Sequence, residues 1–232
     1  MAVNEIISQA RKEKRTVLTE IEAKQILMEA GINCTDTQLA TTKDEAVALS
    51  DTFGYPVVLK ISSVDITHKS DAGGVKVNLK DKDAVEKAFD DIMTACKGQF
   101  PDANIEGIAV QTMAKPGTEV IIGLTNDDSF GPVVMFGLGG IFVEVLKDVS
   151  FRIVPFEKAD ATEMINEIQG KKLLEGYRGQ EPAHIPTLED MLIKLSAFAD
   201  KTPGIEEIDM NPVFAYKDGA VVVDARIILT EG

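Results

Sequence analysis

Residues 206–227 read EEIDMNPVFAYKDGAVVVDARI, two apolar runs on either side of the turn signal KDG at 217–219. This pattern predicts a β-hairpin. Asp209 and Asn211 are two positions apart, so in a strand their side chains share one face. Asp224 follows on the partner strand, where the hairpin can bring it opposite that pair. Three oxygen donors in one patch suit Mg²⁺, and polar residues in a valine-rich strand are costly to bury, which favours a function.

Upstream of this hairpin, helical and strand patterns alternate as far as Gln111, as they do in βαβ units. Capping-box patterns predict two helix starts, at Thr19 with Glu22 and at Thr42 with Glu45. Apolar stripes at helical spacing predict two further helices, and short apolar runs predict strands. These helices lie near 85–96 and 187–201, and the strand-like runs are 56–62, 74–79, 108–113, 119–125, 132–138, 151–156 and 220–229.

The pattern changes after Gln111, because three strand-like runs follow one another between Thr112 and Phe156 with no helical stripe between them. This order predicts an antiparallel meander. We therefore expect a mixed α+β chain whose two lobes meet near residues 110–118, with a ligand cleft between the lobes. The expected division is an N-terminal helical extension at 1–17, a first lobe at 18–110 and a second lobe at 111–232.

Composition excludes several classes of protein. The chain has 232 residues, of which 44% are hydrophobic, and carries 24 Lys and Arg against 38 Asp and Glu, a net charge of −14. An acidic globular chain without Trp argues against a nucleic-acid surface. No apolar run approaches the ~18 residues of a membrane-spanning helix, and the N-terminal segment is typical of a polar helix rather than a signal peptide. We expect a cytoplasmic chain with no membrane or nucleic-acid partner.

A polar loop follows the apolar strand that contains Lys60. The two usual glycine-rich nucleotide motifs are missing, yet this loop holds His68, Lys69, Gly73 and Gly74. Amides of a glycine loop can surround anionic oxygens, and a lysine with a buried stem can hold its ammonium against a phosphate. The plainer alternatives are a lysine at a sheet edge, a solvated histidine and an ordinary Gly-Gly turn.

The run VQTMAKPGTEVIIGL at 110–124 ends one strand at Gln111, Thr112 and Met113 and begins another at Glu119. Backbone groups of such a connection can pair with an adenine edge while Met113 packs on the ring. Glu119 can accept hydrogen bonds from ribose hydroxyls. A loop followed by a strand-start carboxylate is the structural alternative.

A third glycine-rich stretch, FGLGGIFVEVLKD, occupies residues 136–148. Its glycines, Gly137, Gly139 and Gly140, indicate close backbone approach or a positive φ. A bent loop between core elements is the structural alternative.

Four segments occur in a fixed order: GYPVVLKI, ITHKSDAGGVKVNL, FGPVVMFGLGGIFVEVLKD and EEIDMNPV. Together they resemble the ATP-grasp module of NDP-forming acyl-CoA synthetases, most closely the β subunits of archaeal ADP-forming acetate–CoA ligases. The β subunit of succinyl-CoA synthetase is a more distant relative. The resemblance runs from about Leu18 to Ile228, and it implies an ATP-grasp fold with the nucleotide in the cleft between two lobes.

The resemblance implies the reaction acyl-CoA + ADP + phosphate ⇌ acid + CoA + ATP, with acetyl-CoA as the expected acyl-CoA and a phosphohistidine as intermediate. It implies that His68 carries the phosphoryl group, that Asp209 orients this histidine, and that Asn211 and Asp224 bind Mg²⁺. Contacts with ATP or ADP are implied for Lys60, Thr67, Lys69, Gly73, Gly74, Gln111, Thr112, Met113 and Glu119.

A dinucleotide-like CoA-binding fold is not recognisable in the sequence, and in the family it belongs to an α subunit or to a longer fused chain. We therefore expect CoA on an α-subunit partner, in an α2β2 heterotetramer that the resemblance alone implies. Two alternatives stay open: an ATP-grasp ligase that forms an acyl phosphate without a phosphohistidine, and a regulatory nucleotide-binding module without chemistry. The first alternative would not need His68, so replacing this residue separates it from the main interpretation.

Overall fold

The structure is a computed structural model that describes residues 3–66, 68–140, 147–177, 179 and 181–231. Its elements in chain order are α1 (Val3–Lys12), α2 (Glu20–Glu29), β1 (Thr37–Ala40), α3 (Lys43–Phe53), β2 (Val57–Ser62), β3 (Val75–Leu79), α4 (Lys82–Gln99), β4 (Gly107–Thr112), β5 (Thr118–Asp127), β6 (Gly131–Leu138), β7 (Val149–Ile153), α5 (Lys158–Glu167), α6 (Lys171–Leu174), α7 (Ile185–Lys201), β8 (Ile205–Tyr216), β9 (Gly219–Val222) and β10 (Ala225–Leu229). The chain divides into a smaller unit, Thr35–Ala114, and a larger unit made of Met1–Cys34 and Lys115–Gly232.

The smaller unit contains a four-stranded sheet in the order β1-β4-β2-β3. Successive side chains of a strand point to opposite faces, so Val57, Leu59 and Ile61 of β2 lie on one face. They share a core with the apolar stripes of α3 and α4. Helix α3 begins at the predicted capping box, in which the hydroxyl of Thr42 accepts from the Glu45 N–H at 3.2 Å.

The strands of this sheet differ from the expected βαβ pairing, because every hydrogen-bonded pair is antiparallel. Strands β1 and β2 are both antiparallel to β4, so they run parallel to each other with β4 between them. The same holds for β3 and β4, with β2 between them. The predicted helices do connect β1 to β2 and β3 to β4, whereas β2 leads to β3 without a helix. A helix between two strands leaves open whether a third strand lies between them in the sheet.

The larger unit contains a sheet in the order β10-β8-β5-β6-β7, with β9 also paired to β8. Strands β5, β6 and β7 pair antiparallel in succession, which confirms the predicted meander. Helices α2, α5 and α7 contact strands of this sheet. Their apolar faces and the inward strand residues form one core, represented by Leu27, Phe136, Leu192 and Ile227.

Helix ends follow several of the predicted signals. The Thr19 hydroxyl accepts from the Glu22 N–H, and Gly31, at φ +81°, follows the end of α2. Helix α7 begins at Ile185, two residues before the predicted start, and ends at the predicted Lys201. No helix among the residues described above has both the length and the apolar character needed to cross a membrane.

The two units divide the chain differently from the expected boundaries. Leu18, Ile26 and Leu27 belong to the core of the larger unit, and the Leu18 N–H donates to the Ile227 carbonyl at 3.0 Å. Helix α2 therefore packs with β10, whereas the expected first lobe was 18–110. An amphipathic stripe predicts that a helix is buried on one face, but it does not identify the surface that covers this face.

Candidate nucleotide and phosphoryl-transfer site

Lys60 lies inside the smaller sheet, because β3 and β4 flank its strand on both sides. It stands across from Val75 and Ala109. Its neighbours Leu59 and Ile61 point into the helix-packed core, so alternation places Lys60 on the opposite face. Only 5% of its surface is exposed. Lys60 is therefore a buried central residue and not a lysine at a sheet edge.

Gln111 lies on the same face of the sheet as Lys60. It stands across from Val58 on β2, two residues from the position of Lys60, and 1% of its surface is exposed. Thr112 ends β4, and its N–H donates to the carbonyl of residue 36 at 3.0 Å. Met113 follows the strand and is half-buried. The sheet thus places the buried side chains of Lys60 and Gln111 on one face. Gln111 lies just before the connection that is predicted to bind adenine.

The glycine pair after β2 is required by packing and by backbone conformation. A Cβ atom on Gly74 would lie 2.6 Å from Ile61 Cγ2 and 2.9 Å from the Lys69 carbonyl oxygen. Gly73 has φ +68°, a conformation that favours glycine. The Gly74 N–H donates to the Lys69 carbonyl at 2.7 Å, which closes the loop. Close packing against β2 therefore explains the pair without reference to a ligand.

His68 is exposed at the start of the turn that leads to this pair. Its carbonyl accepts from the Ala72 N–H at 3.2 Å. A cavity of about 170 Å³ lies beside it, and its polar lining consists of His68, Asp65, Asp71 and Gln99. The imidazole is thus accessible beside a cavity that Ile66, Ala72 and Phe100 line together with these polar side chains. Thr67, which the resemblance also assigns to the site, lies outside the described residues.

The larger unit confirms the hairpin that residues 206–227 predict, because Tyr216 of β8 lies across from Gly219 of β9. The second half of this hairpin needs a correction. The run 220–229 is two strands and not one, since β9 pairs with the last residues of β8 and β10 with the first. Asp224 lies in the break between them, so the residue across from Asp209 is Arg226.

The backbones of Asn211 and Asp224 are nevertheless joined at this break. The Asn211 N–H donates to the Asp224 carbonyl at 3.2 Å, and the Asp224 carboxylate accepts from the Ala225 N–H at 2.9 Å. Asn211 is exposed, whereas Asp224 is half-buried. On the β5 side, residues 211–212 stand opposite the single residue Ile121, which makes a β-bulge. Bulges re-aim side chains and occur often beside active sites.

Asp209 lies between Gly123 of β5 and Arg226 of β10. Burial raises the pKa of Asp209 above its ordinary value. The charge of Arg226 lowers this pKa, whereas the carboxylates of Glu207 and Asp224 raise it by repulsion. The sequence analysis did not single out Glu207 or Arg226, because the strand register that brings them to Asp209 is not visible in the sequence.

Glu119 is exposed near the start of β5, and its carbonyl accepts from the Gly139 N–H at 2.8 Å. A Cβ on Gly139 would lie 3.0 Å from Glu119 Cβ, and one on Gly137 would lie 2.8 Å from the Asp148 carbonyl oxygen. Gly140 has φ +61°. These contacts confirm the close backbone approach predicted for the third glycine-rich stretch.

The oxygen donors at the break fit a magnesium ion that is bound together with a phosphate ligand. Asn211 offers an amide oxygen and Asp224 a carboxylate, and both are hard donors of the kind that Mg²⁺ prefers. In the part of the chain that the structure describes, no group of three or more His, Cys, Asp or Glu side chains could hold a metal ion. A metal here therefore needs further oxygen ligands from water or from a bound molecule.

Comparison with known proteins gives the family. The sequence model of the ATP-grasp domain matches residues 9–229, nearly the whole chain. The chain belongs to the ATP-grasp family. This ATP-grasp chain is 50% identical over 225 residues to the I subunit beta of acetate–CoA ligase [ADP-forming] from Pyrococcus furiosus, and the match covers 97% of each chain.

Solved structures agree with this result. The ATP-grasp chain superposes with a TM-score of 0.97 on acetyl-coenzyme A synthetase 1 of Ca. Korarchaeum cryptofilum in complex with coenzyme A, Ca-AMPCP and HgCl+, at 48% identity, covering 99% of this chain and 100% of that one. A second structure of that synthetase contains coenzyme A and Mg-AMPPCP, and its phosphohistidine segment points towards the nucleotide-binding site; the TM-score is 0.88, with 44% identity and coverage of 99% and 100%. The ATP-grasp fold expected from the sequence is confirmed.

Proposed function

We propose that the chain is the nucleotide-binding β subunit of an ADP-forming acetate–CoA ligase. In this reaction acetyl-CoA, ADP and phosphate give acetate, CoA and ATP, and the chain transfers the phosphoryl group between His68 and the nucleotide. The observation that carries the proposal is the 50% identity, along 97% of both chains, to a β subunit of that name.

The smaller unit supplies the cationic and the histidine-bearing part of the chemistry. Lys60, held at 5% exposure within the sheet, neutralises negative charge on the nucleotide phosphates, and Lys69 adds charge from the loop that leads to Gly73 and Gly74. The connection that Gln111, Thr112 and Met113 lead into pairs with the adenine edge. The resemblance described above supports these roles.

The larger unit supplies the acidic part. Glu119 accepts hydrogen bonds from the ribose hydroxyls, and Asn211 and Asp224 hold Mg²⁺ with the nucleotide. When bound, the ion neutralises charge on the phosphate oxygens. The resemblance assigns Asp209 the role of orienting the His68 imidazole, which favours the tautomer whose other nitrogen is free to attack.

His68 is the covalent carrier. An imidazole nitrogen attacks the phosphorus of an acyl phosphate, the P–O bond to the acyl group breaks, and the carboxylate leaves with the electron pair. In the second step an oxygen of the ADP β-phosphate attacks the same phosphorus. The N–P bond then breaks, and its electron pair returns to the imidazole.

The remaining components are assigned to a partner. CoA and the acyl-CoA cleavage step belong to a CoA-binding α subunit, in an α2β2 heterotetramer located in the cytoplasm. The name of the Pyrococcus relative, a subunit beta, supports such a partner. A chain of this kind alone binds Mg-nucleotide without turning over acyl-CoA.

Cleavage of acetyl-CoA in the presence of ADP, phosphate and Mg²⁺ tests the proposal. The chain is assayed alone and with a CoA-binding α subunit. Wild type is expected to form ATP only with the partner, His68→Ala to form none, and His184→Ala to match wild type. ATP formation by the pure chain alone would overturn the two-subunit assignment. Unchanged ATP formation by His68→Ala would favour a ligase without a phosphohistidine, and no ATP with any partner would favour a regulatory module.

A further inference from the structure

Arg226 is fixed beside Asp209 by the strand register. The two residues lie directly across from each other in the β10–β8 ladder, so their side chains share one face of the sheet. Arg226 Nη2 donates a hydrogen bond to Glu207 Oε1, two residues along β8 from Asp209. The Arg226 side chain is 47% exposed and that of Glu207 is 36% exposed. The guanidinium is therefore hydrogen-bonded to Glu207 through one nitrogen, and the rest of the group is open to solvent.

Arg226 forms its hydrogen bond with Glu207 and not with Asp209. Among the contacts of the described residues, the bond to Glu207 is the side-chain hydrogen bond that Arg226 makes. A guanidinium carries five N–H donors in a planar fork. Most of these donors are thus available to a ligand that lies next to Asp209.

The negative charge around Asp209 favours a positively charged group between these carboxylates and a bound phosphate. Two carboxylates, those of Glu207 and Asp224, each lie within electrostatic range of Asp209. A nucleotide triphosphate placed beside them meets strong repulsion unless positive charge separates the two. The planar fork of arginine matches two phosphate oxygens at once, which a point charge does not.

We propose that Arg226 binds the terminal phosphate oxygens of Mg-ATP during phosphoryl transfer, and that Glu207 is a positioning residue that holds the guanidinium in place. The inference rests on the proposed function of this patch. In this step an imidazole nitrogen bonds to the γ-phosphorus while the bond from phosphorus to the bridging oxygen breaks, and the electron pair stays on ADP. Hydrogen bonds from Arg226 stabilise the charge on the transferring oxygens.

Phosphorylation of the chain by γ-labelled Mg-ATP provides the test. Arg226→Met is expected to lower the labelling rate about 100-fold, as the loss of a donor to transferring charge does in other enzymes. Arg226→Lys should retain an intermediate rate. The matched control is Arg152→Met, because Arg152 is also a strand arginine of the larger sheet that pairs with glutamates, here Glu163 and Glu167. This control should label like wild type.

Binding measurements separate contact with the phosphate from a structural effect. Arg226→Met should weaken Mg-ATP more than Mg-ADP, because ADP lacks the phosphate that Arg226 contacts. Glu207→Ala should lower the labelling rate with little change in the KM for ATP, and Glu207→Gln, which keeps the acceptor oxygen, should restore most of the rate.

The outcomes are distinguishable. Absence of label on wild type contradicts the proposed function itself. A labelled wild type with Arg226→Met equal to Arg152→Met overturns the role of Arg226. If Arg226→Met does not fold, a wild-type labelling rate for both Arg226→Lys and Glu207→Ala overturns the role of Arg226 as well. An impaired Arg226→Met with a wild-type Glu207→Ala overturns the positioning role of Glu207.

Discussion

The two units hold their site residues in different structural settings. In the smaller unit, Lys60 and Gln111 lie on strands that are paired on both sides, with 5% and 1% of their surface exposed. In the larger unit, Asn211 is exposed beside a bulge, and Asp224 lies in a break between two strands. Lys60 and Gln111 are thus presented from inside a sheet, whereas Asn211 and Asp224 are presented where a sheet is interrupted.

This difference separates stability from activity in a testable way. A side chain inside a ladder is held by the same packing that stabilises the sheet, so its removal leaves a cavity. A side chain at a bulge or a strand break makes few such contacts, so its removal changes the surface alone. We therefore expect substitutions at Lys60 and Gln111 to affect folding and nucleotide binding together, and those at Asn211 and Asp224 to affect activity alone.

The largest effect is expected for Asp224→Ala. Loss of a magnesium ligand should lower labelling of the chain by Mg-ATP about 100-fold at limiting Mg²⁺, whereas the free energy of unfolding should change by less than about 1 kcal/mol. Labelling rates and urea denaturation measure the two quantities. The control is Asp218→Ala, which removes an exposed carboxylate from the turn of the same hairpin. A wild-type labelling rate for Asp224→Ala would show that Asp224 is not a magnesium ligand.

A smaller effect on activity, coupled to stability, is expected for Gln111→Ala. Removing this buried amide should lower the free energy of unfolding by about 2 kcal/mol, because it leaves a cavity and removes a buried polar group from its partners. Nucleotide affinity should fall with it. Gln38→Ala, an exposed glutamine on the neighbouring strand β1, is the matched control in urea denaturation. Equal stability of the two variants would contradict the contrast between the regions.

The smallest expected effect is on the reactivity of two cysteines, one of which is buried in the core of each unit. Burial raises the pKa of Cys34 to about 12, although the nearby Lys24 charge partly opposes this shift, and burial also raises the pKa of Cys96. A higher pKa means less thiolate, so both thiols should react slowly with iodoacetamide in the native protein at mildly alkaline pH. Both should react readily in urea. Rapid native alkylation of one cysteine, detected by mass spectrometry, would show that its core opens.

Local sequence signals predicted much of the fold. The capping boxes at Thr19 and Thr42 and the hairpin turn before Gly219 are confirmed, because each depends on residues a few positions apart. The sequence analysis missed β1, α5 and α6. Strand β1 has only four residues, of which Gln38 and Leu39 are exposed, so it lacks a clear alternation.

The candidate site was predicted from residue spacing, which does not include strand register. A backbone hydrogen bond joins Asn211 to Asp224, and Asp224 acts electrostatically on Asp209, yet the break that places Asp224 depends on how β9 and β10 divide the length of β8. The pairing of Asp209 with Arg226 depends on the same register. Long-range register is set by packing of the whole sheet, and a strand sequence by itself does not specify it.

The most direct test of the account is to find where Mg-ATP places phosphate on this chain. The sequence has two histidines, and the second, His184, lies at the start of α7 with Nδ1 2.8 Å from Thr187 Oγ1. After incubation with Mg-ATP, peptide mapping is expected to find acid-labile, base-stable phosphate on His68 alone. His68→Ala should bind nucleotide and remain unlabelled. Equal labelling of His68→Ala, or phosphate on His184 in its place, would contradict the account.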